Sequence, residues 1–386
     1  MATKKVIGGF LLHFFNAACM IRKSFIKRNH YYLEEIMKKY ALPLFAASAL
    51  TLAACSSETE TPETQPAESA EQVDTLSIYT TVYPLEYFSE RIGGEFVTVE
   101  SVYPPGADEH TFEPSQQDMI KFADADRLFA IGLGLEGFIS SAKDTLANQQ
   151  VEIVELADSI SDDMLLDATD DGHDHSEEEE HGHDEEHGHD DHSEDEEHDH
   201  NESADSHEGH DHGPLDPHVW ISPTLSIELA KTVRDELIEA SPENEEFFNE
   251  NFAALEEELI ALDASFEEMV SEATRDTFFV SHAAFGYWVK DYGLNQIAVA
   301  GISTQDEPSQ KELASLVDQA REQEIEYILT EQNVSSKLTE IIRNEVGAET
   351  LSLHNLGVLT KEDIDNGEDY ISLMERNIET LRTALQ

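Results

Sequence analysis

Cysteine is nearly absent from this chain of 386 residues. The only two, Cys19 and Cys55, precede the first segment patterned like a folded domain, so no pair is available for a structural disulfide. Positive charge is scarce as well. Lys and Arg number 23 against 83 Asp and Glu, a formal net charge of -60. Nucleic acid and a bare anionic membrane surface would both be repelled, and a cationic ligand is favoured. The apolar run Tyr40 to Leu50 falls short of the about 20 residues that span a bilayer. What the chain does have is length for two domains and 39% hydrophobic residues with which to build their cores.

Its most unusual stretch is 170–213. Twelve histidines and twenty-one carboxylates crowd there, with no Lys or Arg and almost nothing apolar. Such a composition cannot bury enough surface to offset the entropy of ordering, so a disordered loop is expected. The histidines are His173, His175, His181, His183, His187, His189, His192, His198, His200, His207, His210 and His212. Ten of them fall in His-x-His pairs, whose side chains share a face of an extended chain. Imidazoles so placed suit zinc, copper or nickel, and the interleaved acids add charge attraction. An auxiliary, weak metal-binding loop is the expectation; a plain acidic linker is the alternative.

Met37-Lys38-Lys39 followed by Tyr40 to Leu50 has the charged start and apolar core of a secretory signal. Leu52-Ala53-Ala54-Cys55 then resembles a bacterial lipobox, in which Cys55 would be lipidated. Residues 1–36 are read as an over-extended start, 37–54 as the signal peptide and 55–74 as a tether. Ser56 to Asp74, rich in Ser, Thr, Glu and Pro, can reach roughly 60 Å at about 3.3 Å per residue.

From Leu76 onward short β-rich runs alternate with helical ones. Strands are expected at Leu76–Val82, Val97–Tyr103, Arg127–Ile131 and Val151–Glu155, and this alternation argues for βα units with a largely parallel sheet. A helix at Thr224–Glu239 follows the polar loop. Next, Phe247, Phe248, Phe252, Leu255, Leu259, Leu262, Phe266 and Met269 recur at helical spacings without Gly or Pro after Pro242. One helix over Pro242–Ala273, roughly 45 Å long, is predicted. A second block brings strands near Thr277–Val280, Gln296–Val299, Ile325–Thr330 and Glu349–Leu353. Its helices are expected near His282–Tyr292, Ser309–Gln323, Ser336–Val346 and Asp369–Ala384. The chain thus divides into an N-terminal α/β lobe (75–240, interrupted by 170–213), a linking helix (241–273) and a C-terminal α/β lobe (274–386).

Ligand-type residues cluster after the strands, where open α/β folds hold ligands. His110 lies in the turn-rich Pro104-Pro105-Gly106-Ala107-Asp108-Glu109-His110, and His218 lies between Pro217 and Val219 beside Trp220. His282 follows its strand in Ser281-His282-Ala283-Ala284-Phe285, and Glu331 opens Glu331-Gln332-Asn333. Taken singly, each could be an ordinary surface or buried polar residue. His354 is read as structural.

With Glu307-Pro308-Ser309, these motifs resemble the metal-receptor lipoproteins of bacterial ABC importers, the family of zinc and manganese solute-binding proteins, from about residue 75 to the C-terminus. The resemblance implies two α/β lobes with mainly parallel sheets, joined by one long bridging helix, with the metal in the interlobe cleft. Its ligands would be His110, His218, His282 and Glu331. Manganese members carry a carboxylate at the third position; here it is His282. Three imidazoles with one carboxylate favour zinc, whereas manganese prefers more oxygen. The sequence departs from relatives that carry a disulfide in the second lobe.

The function implied is extracytoplasmic capture of Zn2+ by a monomeric receptor, lipid-anchored to the membrane through Cys55, which passes the ion to an ABC permease and its ATPase. Nucleic acid is not a partner, and no chemistry on a substrate is expected. A receptor for manganese or another divalent metal, and a zinc-storing surface adhesin, are the alternatives. A zinc hydrolase with Glu331 as base is a further one, although no His-Glu-x-x-His motif is present.

Overall fold

The structure, a computed structural model, describes residues 75–168, 215–332 and 337–386. The signal segment, Cys55, the tether, the twelve loop histidines and Asn333 lie outside the described residues.

The first lobe is a four-stranded sheet in the order β2-β1-β3-β4, with β1 Leu76–Thr80, β2 Val97–Ser101, β3 Arg127–Ala130 and β4 Glu152–Glu155. Every neighbouring pair is parallel. Parallel strands need crossover connections, and helices supply them. Between the strands lie α1 (Tyr83–Gly93), α2 (Gln116–Ala123) and α3 (Ile139–Leu146). α2 begins with a capping box in which the Ser115 side chain accepts from Asp118 N and Asp118 reaches back to Ser115 N. α4 (Pro223–Ala240) starts with Pro223 in its first turn and Ser222 as its cap.

The second lobe repeats the arrangement. β5 (Thr277–His282), β6 (Asn295–Ala300), β7 (Tyr327–Thr330) and β8 (Glu349–Ser352) form a sheet in the order β6-β5-β7-β8, again all parallel. Its helices are α6 (Gly286–Tyr292), α7 (Gln310–Glu322), α8 (Lys337–Val346), α9 (Lys361–Asn366) and α10 (Tyr370–Ala384). The strand expected to stop at Val280 continues to His282, because all six of its residues are buried and His282 still pairs with Ala300. The following helix accordingly starts at Gly286, later than expected.

The long helix is α5, Glu245–Glu272, preceded by one 3-10 turn at Pro242–Asn244. Its 28 residues make a rod of about 42 Å at about 1.5 Å per residue. Phe248, Phe252, Leu255, Leu259, Leu262, Phe266 and Met269 form its buried stripe. Near one end Phe247 and Phe248 meet Phe96 of the first lobe; near the other Phe266 stacks on Tyr292, centroids 5.1 Å apart and planes 3° from parallel. The core is therefore continuous between the lobes along this helix.

The lobes are also stitched directly. The turn after β8, residues 355–359, is hydrogen-bonded into the first lobe: Tyr83 N donates to Gly357 O at 2.9 Å, Gly106 N to Leu359 O at 3.1 Å and Trp220 Nε1 to Asn355 O at 2.7 Å. From the other edge of the second sheet, after β6, Thr304 Oγ1 donates to Asp108 Oδ2 at 2.8 Å.

Candidate metal centre

Three histidines, two from strand-end segments and one from the turn that precedes α4, converge between the lobes. One ring nitrogen from each of His110, His218 and His282 lies within 4.8 Å of the other two. Ring centroids are 5.1, 5.3 and 5.8 Å apart.

His110 sits on the loop after β2, which turns at Gly106 with φ of +79°, a conformation glycine adopts without strain. Asp108 Oδ1 accepts from His110 N at 2.9 Å and fixes the backbone there. His218 is fully buried on the turn that precedes α4. Its Nδ1 and its backbone N both lie on Asp216 Oδ1, at 2.8 and 2.9 Å. With Nδ1 committed to a carboxylate, Nε2 is left as the ligand atom. That Nε2 lies 3.2 Å from His110 Nε2. A tetrahedral ion with about 2.1 Å bonds to nitrogen has an edge of about 3.4 Å, so this pair already stands at coordination spacing. His282 is fully buried at the end of β5. Its Nδ1 lies 2.6 Å from Glu331 Oε1, while its buried Nε2 has no hydrogen-bond partner. An orphaned buried nitrogen is costly unless a ligand completes it.

Glu331, expected as the fourth ligand, is engaged in hydrogen bonds of its own in this structure. Its Oε1 accepts from Ser281 Oγ at 2.8 Å as well as from His282, and its Oε2 accepts from Asn355 Nδ2 at 2.9 Å. In this geometry the carboxylate stands behind His282 and orients it. The reason is that β5 and β7 are neighbours in the sheet, so the side chains leaving their ends meet each other first.

Two carboxylates that the sequence reading did not single out belong to the same surroundings. Asp216 orients His218, as described, and Glu109 is buried with Oε1 accepting from Asn355 Nδ2 at 3.0 Å. Glu109 directly precedes His110 and Asp216 stands two residues before His218, and that adjacency to the histidines was the available signal. His354 is structural, as expected: its ring lies against Asp363 Oδ2 and Gln332 Nε2 and accepts from Leu356 N, away from the cluster.

Electrostatically the site is prepared for a cation. Burial, with the neighbouring imidazoles of His218 and His282, lowers His110 to about 2, so it is neutral and its lone pair available. For His282, burial works against the charged form, but the adjacent Glu331 outweighs it and raises the ring above its ordinary value. Burial would raise Glu331, yet the same partner holds it below the usual carboxylate range. Burial pushes Glu109 up to about 7. A divalent ion brought to these groups meets neutral nitrogen and nearby negative charge, and it must displace any proton from His282 Nε2.

The chain matches the family model described as zinc-uptake complex component A, periplasmic, over residues 78–384. It is similar to the zinc-binding lipoprotein AdcA of Streptococcus pneumoniae, 36% identical over 351 residues that cover 90% of this chain and 61% of that protein. The chain therefore spans about three fifths of that relative's length. The high-affinity zinc uptake system protein ZnuA of Bacillus subtilis is 30% identical over 91% of this chain and 99% of its own length. Among solved structures, the Zn(II)-bound ZnuA-like domain of S. pneumoniae AdcA superposes with a TM-score of 0.61 at 32% identity, covering 81% of this chain and 99% of that domain.

Proposed function

Because the chain belongs to the zinc-uptake complex component A family, we propose that it is a zinc receptor that captures Zn2+ outside the cytoplasm and passes it to the permease and ATPase of an ABC importer. The observation that carries this reading is the convergence of His110, His218 and His282. Two of these imidazoles, His218 and His282, are backed by carboxylates, and the buried Nε2 of His282 is unpartnered. Nitrogen-rich donor sets of this kind suit zinc. Glu331 is the fourth member of the site. Through Oε1 it fixes His282, and by releasing that hydrogen bond it can supply one oxygen to the ion.

The relatives' names support the cargo and the extracytoplasmic setting, one being a lipoprotein and another an uptake-system protein. No helix among the described residues is long and apolar enough to cross a membrane. Attachment through a lipid on Cys55, and action as a monomer, complete the proposal. Loss of the Cys55→Ala protein from the membrane fraction is the expected sign of that anchor. A hydrolase reading has little support, because both oxygens of its candidate base Glu331 are already engaged.

Thermal unfolding with and without zinc tests the site. A ligand that binds only the folded state adds about 2.7 kcal/mol at one hundred times its dissociation constant. Zinc should therefore raise the melting temperature of the parent and lose most of that effect in His110→Ala, His218→Ala and His282→Ala. Equal stabilisation of His282→Ala would refute the assignment.

A further inference from the structure

Asn355 lies between two buried acidic side chains beside the histidine cluster, Glu109 and Glu331, and its amide is shared between them. Nδ2 donates to Oε1 of Glu109, from the first lobe, at 3.0 Å and to Oε2 of Glu331, from the second, at 2.9 Å. A side-chain amide has two N–H donors, so both are spent. The amide cannot turn away, because Oδ1 accepts from Gly357 N at 3.1 Å and the residue's own carbonyl accepts from Trp220 Nε1 at 2.7 Å. All three polar residues are at most 6% exposed. Glu109 is pressed against the turn that carries Asn355: a Cβ on Gly357 would stand 2.5 Å from Glu109 Oε1. Among the described residues no Lys or Arg forms an ion pair with either carboxylate.

Carboxylate oxygens beside a divalent ion and free of the Asn355 amide would turn toward it. Each added oxygen favours ions that prefer oxygen donors, manganese among them, over zinc, which is satisfied by three nitrogens and one further donor. The amide opposes this by engaging one oxygen of each acid. Glu331 retains only Oε1 to offer, and Glu109 is held on the Asn355 side.

We propose that Asn355 is a specificity-determining residue of this centre: by engaging Oε1 of Glu109 and Oε2 of Glu331 it keeps the donor set poor in oxygen and so favours zinc over oxygen-seeking divalent ions. This rests on the reading of the histidine triad as the metal site. Asn355 touches no ion in this role; it acts through the two acids.

The test measures zinc and manganese affinities of the full chain by chelator competition, in the parent, Asn355→Asp and Asn355→Ser. Asp retains the acceptor for Gly357 N and replaces the shared donor. Ser retains a small acceptor, is too short to reach both acids and adds no charge, so it carries the test if the Asp variant does not fold. The expected result is a fall of about tenfold or more in the zinc-to-manganese affinity ratio, chiefly through tighter manganese binding. A merely structural role would weaken both ions together. A ratio within about threefold of the parent, or a parallel loss of both ions, overturns the inference. Measured alongside, His282→Ala separates the two claims. Zinc lost in His282→Ala with an unmoved ratio in the Asn355 variants defeats this inference alone, and zinc retained in His282→Ala defeats the triad and this inference with it.

Discussion

Excising the histidine-rich run should leave the proposed tight site and the fold intact. The ends of the run are held together: Asp167 and Leu215 pair in an antiparallel bridge, Asp216 N donates to Leu166 O at 2.8 Å, and Tyr287 Oη donates to Asp216 O at 2.8 Å. Deleting residues 173–212 shortens the connection between the bridged positions from about 47 residues to about 7. If the run is the unstructured chain its composition predicts, closure entropy scales as about (3/2)RT ln n, and the shortening recovers about 1.7 kcal/mol. Removing the acids of this stretch also relieves self-repulsion in a chain of net charge -60. The deletion protein should therefore melt at the parent's temperature or a few degrees above it. Calorimetric titration should show one tight zinc equivalent retained and the additional weak ones lost. In the parent, the weak equivalents should fade as pH falls toward about 5.5, because unperturbed imidazole titrates near about 6.5 and protons compete with the metal. Disappearance of the tight equivalent with the run, or a melting point several degrees lower, would refute the reasoning and put a storage role first.

Glu331→Ala should weaken zinc binding by about 10–100-fold, the usual effect of removing an orienting carboxylate, and by less than His282→Ala; equal losses in competition titrations would make it an obligatory ligand. Glu86 is raised from 4.5 to about 7 by burial and then by Glu90. A raised carboxyl favours the protonated fold, so stability is lost as pH climbs from about 4.5 through about 7. Glu86→Gln should melt with the parent near pH 4.5 and gain about 1–2 kcal/mol above pH 7, less than the about 3 kcal/mol implied by the shift because the side chain keeps some contact with water; coincident melts at pH 8 would count against it. Phe266→Ala empties a fully buried position stacked on Tyr292 and against Trp288. It should cost about 3–5 kcal/mol in denaturant unfolding while leaving the zinc affinity of the folded protein unchanged.

The secondary structure was largely legible because its signals are local. All eight expected strands are present within a few residues, and the apolar spacing from Phe248 to Met269 marks the buried stripe of α5. The three histidines were legible as motif residues, His110 and His282 after strands and His218 just before a helix, and the structure brings them together. What the sequence could not reveal depends on contacts between distant segments. Asn355 meets Glu109 across 246 positions, and nothing near it in the chain marks it out. Glu331 was found as a site residue, but its hydrogen bond to His282 follows from the adjacency of β5 and β7, which the strand sequences do not encode individually.

The stitched turn at 355–359 bears on how fast an ion can come and go. Swinging the lobes apart would break the bonds at Tyr83 N, Gly106 N and Trp220 Nε1 together. Each buried bond left unmade costs about 1–3 kcal/mol, so under the proposed function that route should be a slow one for a bound ion. At the other edge of the second sheet, after β6, the tie is Thr304 Oγ1 donating to Asp108 Oδ2, and the other oxygen of that carboxylate accepts from His110 N. Lifting residues 302–308 breaks that side-chain bond and loosens the support of one of the three imidazoles, while Gly301 O stays bonded to Ala283 N. The lower barrier for exchange therefore lies on that side of the cleft, and a partner that accelerates unloading has the least work to do there.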